Sequence, residues 1–159
     1  GGPKAGEANH RRGVALVDLD AVTRASIATL SDEIDASKAT GMWEEACACA
    51  FRGRPVWLHG DLNAGNLVAR DGDLVAVIDW GLAAVGDPAA DHAAAWTWVL
   101  PRARPAFRET LGLEDEVWTR ARGWAIYMAV IALAYYRGGR NEALSRQCRV
   151  TLERLDLMR

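Results

Sequence analysis

The sequence predicts an α+β fold, mainly helical, with a small β-hairpin inserted near its centre. Three observations predict it. Apolar residues recur at helical spacing over most of the chain, β-branched runs are confined to residues 56–78, and Asp71-Gly72-Asp73 separates two of those runs as a hairpin turn. The length of 159 residues, half of them hydrophobic and 25% charged, suits one compact domain rather than a charged tail.

Residues 1–13 are rich in Gly, Lys, Arg and Asn without an apolar period, and read as a flexible tail or expression remnant ahead of a folded lobe over 14–159. Val22, Ala25, Ile27 and Leu30 suit a short helix over Asp20 to Leu30. A second helix runs from Asp35 to about Phe51, capped by Asp35 or Ser37, and Gly53-Arg54-Pro55 breaks the chain after it. Val56-Trp57-Leu58 reads as a strand, and Leu67 to Arg70 and Leu74 to Ile78 as the two arms of the hairpin. After Pro88 the helical pattern returns over Ala89 to Leu100, Arg102 to Leu111 and Glu114 to Tyr136. The last of these is apolar almost all round in its second half and is the expected core helix, ended by Gly138-Gly139. Over Asn141 to Leu157, Leu144, Cys148, Leu152 and Leu155 form one stripe opposite Arg146, Arg149, Glu153 and Arg154.

Composition excludes several functions. Nineteen Lys and Arg against 21 Asp and Glu give a net charge of −2, which argues against a nucleic-acid partner. The longest apolar run, Trp124 to Tyr136, falls short of the roughly 18 residues a membrane span needs, so no membrane partner and a cytoplasmic location are expected. Cys47 and Cys49 point to different faces of one helix and, with Cys148, read as reduced, buried thiols.

The informative polar residues lie around the hairpin. The chain reads His59-Gly60-Asp61-Leu62-Asn63-Ala64-Gly65-Asn66, then the hairpin, then Ile78-Asp79-Trp80-Gly81. A hairpin centred on Gly72 pairs residues whose numbers sum to about 144, and diagonal neighbours in a ladder are about 7–8 Å apart. Asn66 and Asp79 then share the open end of the hairpin. Asp61 arrives five residues earlier, with Gly60 and Gly65 expected to turn the loop back. Two carboxylates and an amide supply oxygen donors only, which suits a hard cation such as Mg²⁺ completed by phosphate and water. A carboxylate beyond the metal's needs serves as a base, so the pattern points to phosphoryl transfer. Each residue alone has an ordinary explanation as a turn former or cap, and His59 is read as a loop-holding residue rather than a metal ligand. Turn chemistry does not explain why all fall at one end of one hairpin.

The run His59 to Asn66, followed by Ile78-Asp79-Trp80-Gly81, Gly86-Asp87-Pro88 and Asp91-His92-Ala93, resembles the C-terminal lobe of the aminoglycoside phosphotransferase family, small-molecule kinases of protein-kinase-like fold, from roughly Ala21 onward. The H-x-D-x-x-x-x-N spacing also matches the protein-kinase catalytic loop. The resemblance implies that Asp61 is the catalytic base and that Asn66 and Asp79 hold the Mg²⁺ bridging the phosphates of ATP. It also implies that His59 and Asp91 support the catalytic loop and that the second substrate is a small-molecule hydroxyl acceptor. Ala64 stands where many relatives carry Pro, and Trp80 where a D-F-G-like segment has a Phe-like or smaller residue. No Gly-rich phosphate loop is present, and Lys4 and Lys38, the only lysines, do not suit the nucleotide-binding strand. The N-terminal nucleotide lobe is therefore expected as a missing partner, and the 159 residues alone as inactive.

On the acceptor side the family uses acidic residues. Asp87, Glu114, Asp115 and Glu116 are the candidates, with Glu109 and Glu142 behind them, although carboxylates opening a helix are favoured by its dipole in any case. Trp96, Trp98, Trp118 and Trp124 suit either an acceptor pocket or the core. Two alternatives stay open: a metal-dependent phosphohydrolase using His59, Asp61, Asp79 and His92, and a non-catalytic kinase-like module for binding or homodimerisation.

Overall fold

Helix α6, Asp115–Tyr136, is the axis of the structure, a computed structural model that describes residues 2–159. Its second half is apolar almost all round because α1 (Asp20–Thr29), α2 (Ala36–Ala48), α3 (Ala89–His92) and α7 (Glu142–Arg154) pack against it, while Met128, Ile131 and Ala132 line an open cavity. Ala121, Trp124, Ala125, Ile126, Val130 and Leu133 lose all contact with solvent. Helices α1 and α2 pack on one side, with Ile27, Leu30, Ala39 and Trp43 turned inward. The backbones of α2 and α6 approach closely at Gly123, where a Cβ would lie 2.5 Å from that of Ala46. Asp35 caps α2 by accepting from the Lys38 amide. Asn141 does the same for Leu144 at the start of α7, Glu142–Arg154. Helix α7 lays the expected stripe of Cys148, Leu152 and Leu155 against α6.

The β part is larger than the single hairpin expected. Strands β2 (Leu67–Arg70) and β3 (Asp73–Val77) form that hairpin, and β1 (Val56–Leu58) pairs antiparallel with an unexpected β4 (Ala84–Gly86). Three residues of Ala-Val-Gly carry no legible alternation, so β4 is defined by its partner. Asp71 and Gly72 both adopt positive φ (54° and 93°), the backbone a two-residue primed turn requires. Leu67 faces Val77 and Val68 faces Ala76, in the expected register, until a bulge after Val68 shifts the tip by one residue.

Two expectations are corrected. The segment 1–13 is not a tail over its described part: Ala5 donates to Val85 and Val85 to Pro3 (3.0 and 2.8 Å), beside the Lys4–Val85 bridge. Asn9, only 4% exposed, donates to the carbonyls of Arg12 and Leu82, and Asp87 donates to the carbonyl of Gly13. Backbone bonding to β4 holds this stretch, which is why it lacks an apolar period; Gly1 lies outside the described residues. The helix expected over Ala89 to Leu100 is two short ones, α3 (Ala89–His92) and α4 (Ala94–Thr97), joined at Ala93. The next begins as a 3₁₀ turn at Pro101–Ala103 before α5 (Arg104–Thr110), since Pro101 and Pro105 donate no amide hydrogen.

Candidate active site

The loop from His59 to Asn66 is held by polar bonds to backbone rather than by packing. The Asp91 carboxylate of α3 accepts from the amides of His59 and Gly60 (2.6 and 2.9 Å). Gly60 has φ 81°, and a Cβ there would lie 2.4 Å from the Leu82 carbonyl oxygen, so the chain turns at a point only glycine can occupy. The His59 ring, 3% exposed, donates from Nε2 to the Ile78 carbonyl (2.9 Å) and accepts the Asp61 amide at Nδ1 (3.2 Å). It thus ties the loop to the end of β3, with the Trp80 ring 4.7 Å away and tilted by 53° to it. Both ring nitrogens are engaged within the protein, which removes His59 from any metal shell.

Asn66 turns back onto Asp61. Its Nδ2 donates to the Asp61 carbonyl (2.9 Å) and to Asp61 Oδ2 (3.2 Å), leaving Oδ1 as the amide's free acceptor face. The Ile78 amide donates to the Asn66 carbonyl at 2.9 Å, which sets Asn66 beside Asp79 across the open end of the hairpin. Asp79 adopts a left-handed backbone (φ 61°, ψ 63°), and its side chain makes no capping bond. Gly65, by contrast, does not have positive φ. The reversal before β2 is a 3₁₀ turn over Ala64–Asn66, capped by Asn63, whose Oδ1 accepts the Gly65 amide (2.9 Å).

Asp61 is half-buried and borders two cavities. A largely apolar one of about 610 Å³ extends between the loop, α4, α6 and α7. A more polar one of about 640 Å³ opens toward Glu7, His10 and Leu82. Arg12 borders both. Burial pushes the Arg12 guanidinium below its ordinary pKa, with Tyr127 and Asp61 pulling it back up.

The acidic candidates for the acceptor side fare differently. Asp87 is 2% exposed and locked to Arg120 (Oδ2 to Nε 2.7 Å) while also accepting the Ala89 amide, so it is a buried structural ion pair and faces no ligand. Glu114, Asp115 and Glu116 are exposed at the start of α6, Asp115 is paired with Arg108, and none borders the cavities at Asp61. Trp96, Trp118 and Trp124 pack in or against the core. Trp98 was the informative tryptophan, because its Nε1 donates to the Leu62 carbonyl (3.0 Å) and steadies the loop from α4. Arg12 and Asn63 escaped the sequence reading, which named Trp98 only as a pocket or core residue; Asn63, as an Asx turn former before Gly65, carried a local signal. His92 has a buried Nδ1 without a partner, and burial lowers its pKa. Among the described residues there is no cluster of three or more His, Cys, Asp or Glu that could hold a metal ion. No helix among them is long and apolar enough to cross a membrane.

A mainly helical α+β domain with an aspartate-bearing loop cross-braced to a hairpin end is the class these observations define. The chain belongs to the phosphotransferase enzyme family, whose model matches residues 3–124. The match begins well before Ala21, in keeping with the folded N-terminal segment, and stops within α6. No curated protein and no solved structure matches the chain.

Proposed function

We propose that this chain is the catalytic, acceptor-binding lobe, of protein-kinase-like fold, of an ATP-dependent small-molecule kinase. The observation that carries the reading is the side-chain bond from Asn66 to Asp61, made where the hairpin brings Asn66 beside Asp79. The donor chemistry fits magnesium: Asn66 Oδ1 and the Asp79 carboxylate are oxygens not committed elsewhere, and they would hold the ion, while Asp61 keeps Oδ1 free. When bound, magnesium supplies charge neutralisation at the phosphates of ATP.

The work of this chain is then positioning. Asp61 accepts the proton of the acceptor hydroxyl as that oxygen bonds to the γ-phosphorus of ATP and the phosphorus–oxygen bond to ADP breaks. The bond from Asn66 and the anchoring of the loop by Asp91 fix the Asp61 carboxylate at the mouth of the apolar cavity. The phosphate clamp and the adenine pocket belong to a separate N-terminal lobe. The exposed hairpin side chains Leu74, Val75 and Ile78 offer that lobe or its nucleotide an apolar floor. The 159 residues alone are accordingly expected not to consume ATP.

In the full-length protein, Asp61→Ala should lower phosphoryl transfer by about 10²–10⁴-fold while leaving the melting temperature unchanged. Transfer at the wild-type rate would overturn the assignment of Asp61.

A further inference from the structure

The cavity at Asp61 has a charge pattern that its acidic candidates do not share. Its wall is apolar over Ala94, Met128, Ile131, Ala132, Leu144 and Cys148, and burial pushes the Cys148 thiol up to about 11, so it stays protonated. Among the described residues Asp61 is the one carboxylate that borders it, and Arg12 the one cation. A polycation entering this space would bring several charges against a wall offering one negative group, at a large desolvation cost.

Arg12 is the second observation. Its Nε and Nη1 are sealed from solvent and find no acceptor among the described residues, which leaves Nη2 as the donor open to a ligand, and the neighbouring Glu7 pairs with Arg11 instead. Only the Tyr127 ring lies beneath it, at 5.7 Å. A guanidinium has no acceptor capacity of its own and suits a carboxylate or carbonyl oxygen.

We infer that the acceptor is a hydroxylated molecule with an apolar body and one carboxylate or carbonyl oxygen, which Arg12 engages while the hydroxyl lies at Asp61, and that it is not a polycation. The inference rests on the reading of Asp61 as the acceptor's base, but binding can be measured without nucleotide, so the two can fail separately.

The test is calorimetric titration of the 159-residue chain with ω-hydroxyalkanoates of eight to twelve carbons, with 1,12-dodecanediol and with kanamycin as the polycation. The hydroxy acids should bind with affinity rising along the series, and the twelve-carbon acid at least tenfold more tightly than the diol. Kanamycin should not saturate the chain. Arg12→Met should erase the preference for the acid over the diol. Gln147→Trp, at an exposed position on the cavity rim, should weaken acid and diol alike, and it serves should Arg12→Met fail to fold. Kanamycin binding more tightly than the acids, an acid preference intact in Arg12→Met, acid and diol binding unchanged by Gln147→Trp, or no binding of any hydroxy acid would each overturn the proposal. A chain that binds the acids but, joined to its nucleotide lobe, shows no Asp61-dependent transfer would overturn the kinase reading instead.

Discussion

The helical body and the loop-and-hairpin region are stabilised by different forces. Around α6 the side chains of Trp43, Trp124, Ile126, Leu133 and Leu152 are wholly buried, and dispersion with the hydrophobic effect holds the helices together. The hairpin exposes most of its side chains, and its approach loop is held by directed bonds: Asp91 to two amides, His59 to Ile78 and Asp61, Asn66 to Asp61, Trp98 to Leu62. Apolar packing tolerates small shifts. Directed bonds fix atoms to within tenths of an ångström, which is what the roles proposed for Asp61 and Asn66 require. Stability and precision therefore reside in separate parts of the molecule, and substitutions should separate them.

The largest stability effect is expected in the body. Trp124→Ala empties a fully buried site in α6 and should cost about 3–5 kcal/mol, read by denaturant unfolding. A loss below about 1 kcal/mol would show that the body does not carry the fold. Asp91→Ala leaves the His59 and Gly60 amides without their acceptor and should cost about 1–3 kcal/mol. In the full-length protein the same change should lower transfer by far more than the lost stability explains, with a fall in kcat; an unchanged kcat would remove the bracing role of Asp91.

The smallest effect is a dependence on pH. Burial holds His92 below its ordinary pKa of 6.5, so the folded chain keeps it neutral while the unfolded chain takes up a proton. That contribution to stability is complete above pH 6.5 and is lost as pH falls through the depressed folded value. Melting temperatures of the wild type should decline from pH 7 toward 5, and His92→Gln should flatten the decline. Asp20, Asp32 and Glu33, lowered chiefly by hydrogen bonds from Trp43, Arg137 and Arg149, lose their contributions only below the ordinary carboxylate values of 3.8 and 4.5, outside that window.

The same division decides how much could be read from the residues alone. The body was legible because burial of one helix face writes a period into the sequence, as in the Leu144, Cys148, Leu152 and Leu155 stripe of α7. The hairpin was legible through Asp71-Gly72, where backbone sterics dictate residue type. Strand β4, the ordered N-terminal segment and the roles of Trp98 and Arg12 were not. Each depends on partners distant in the chain, such as the Val85 backbone bonds with Pro3 and Ala5, and hydrogen bonds to backbone leave no mark on the donor's neighbours. Asp87 misled for the same reason: a carboxylate after a glycine looks available until Arg120 arrives from α6.

The central claim is that Asp61, Asn66 and Asp79 meet at one metal–phosphate position. Its most direct test replaces magnesium with paramagnetic manganese in the ATP complex of the full-length protein and follows amide signals by nuclear magnetic resonance. Selective broadening at residues 61, 66 and 79, with residues 114–116 spared, is expected. Broadening centred elsewhere, with the Asn66 side-chain amide sharp, would contradict it.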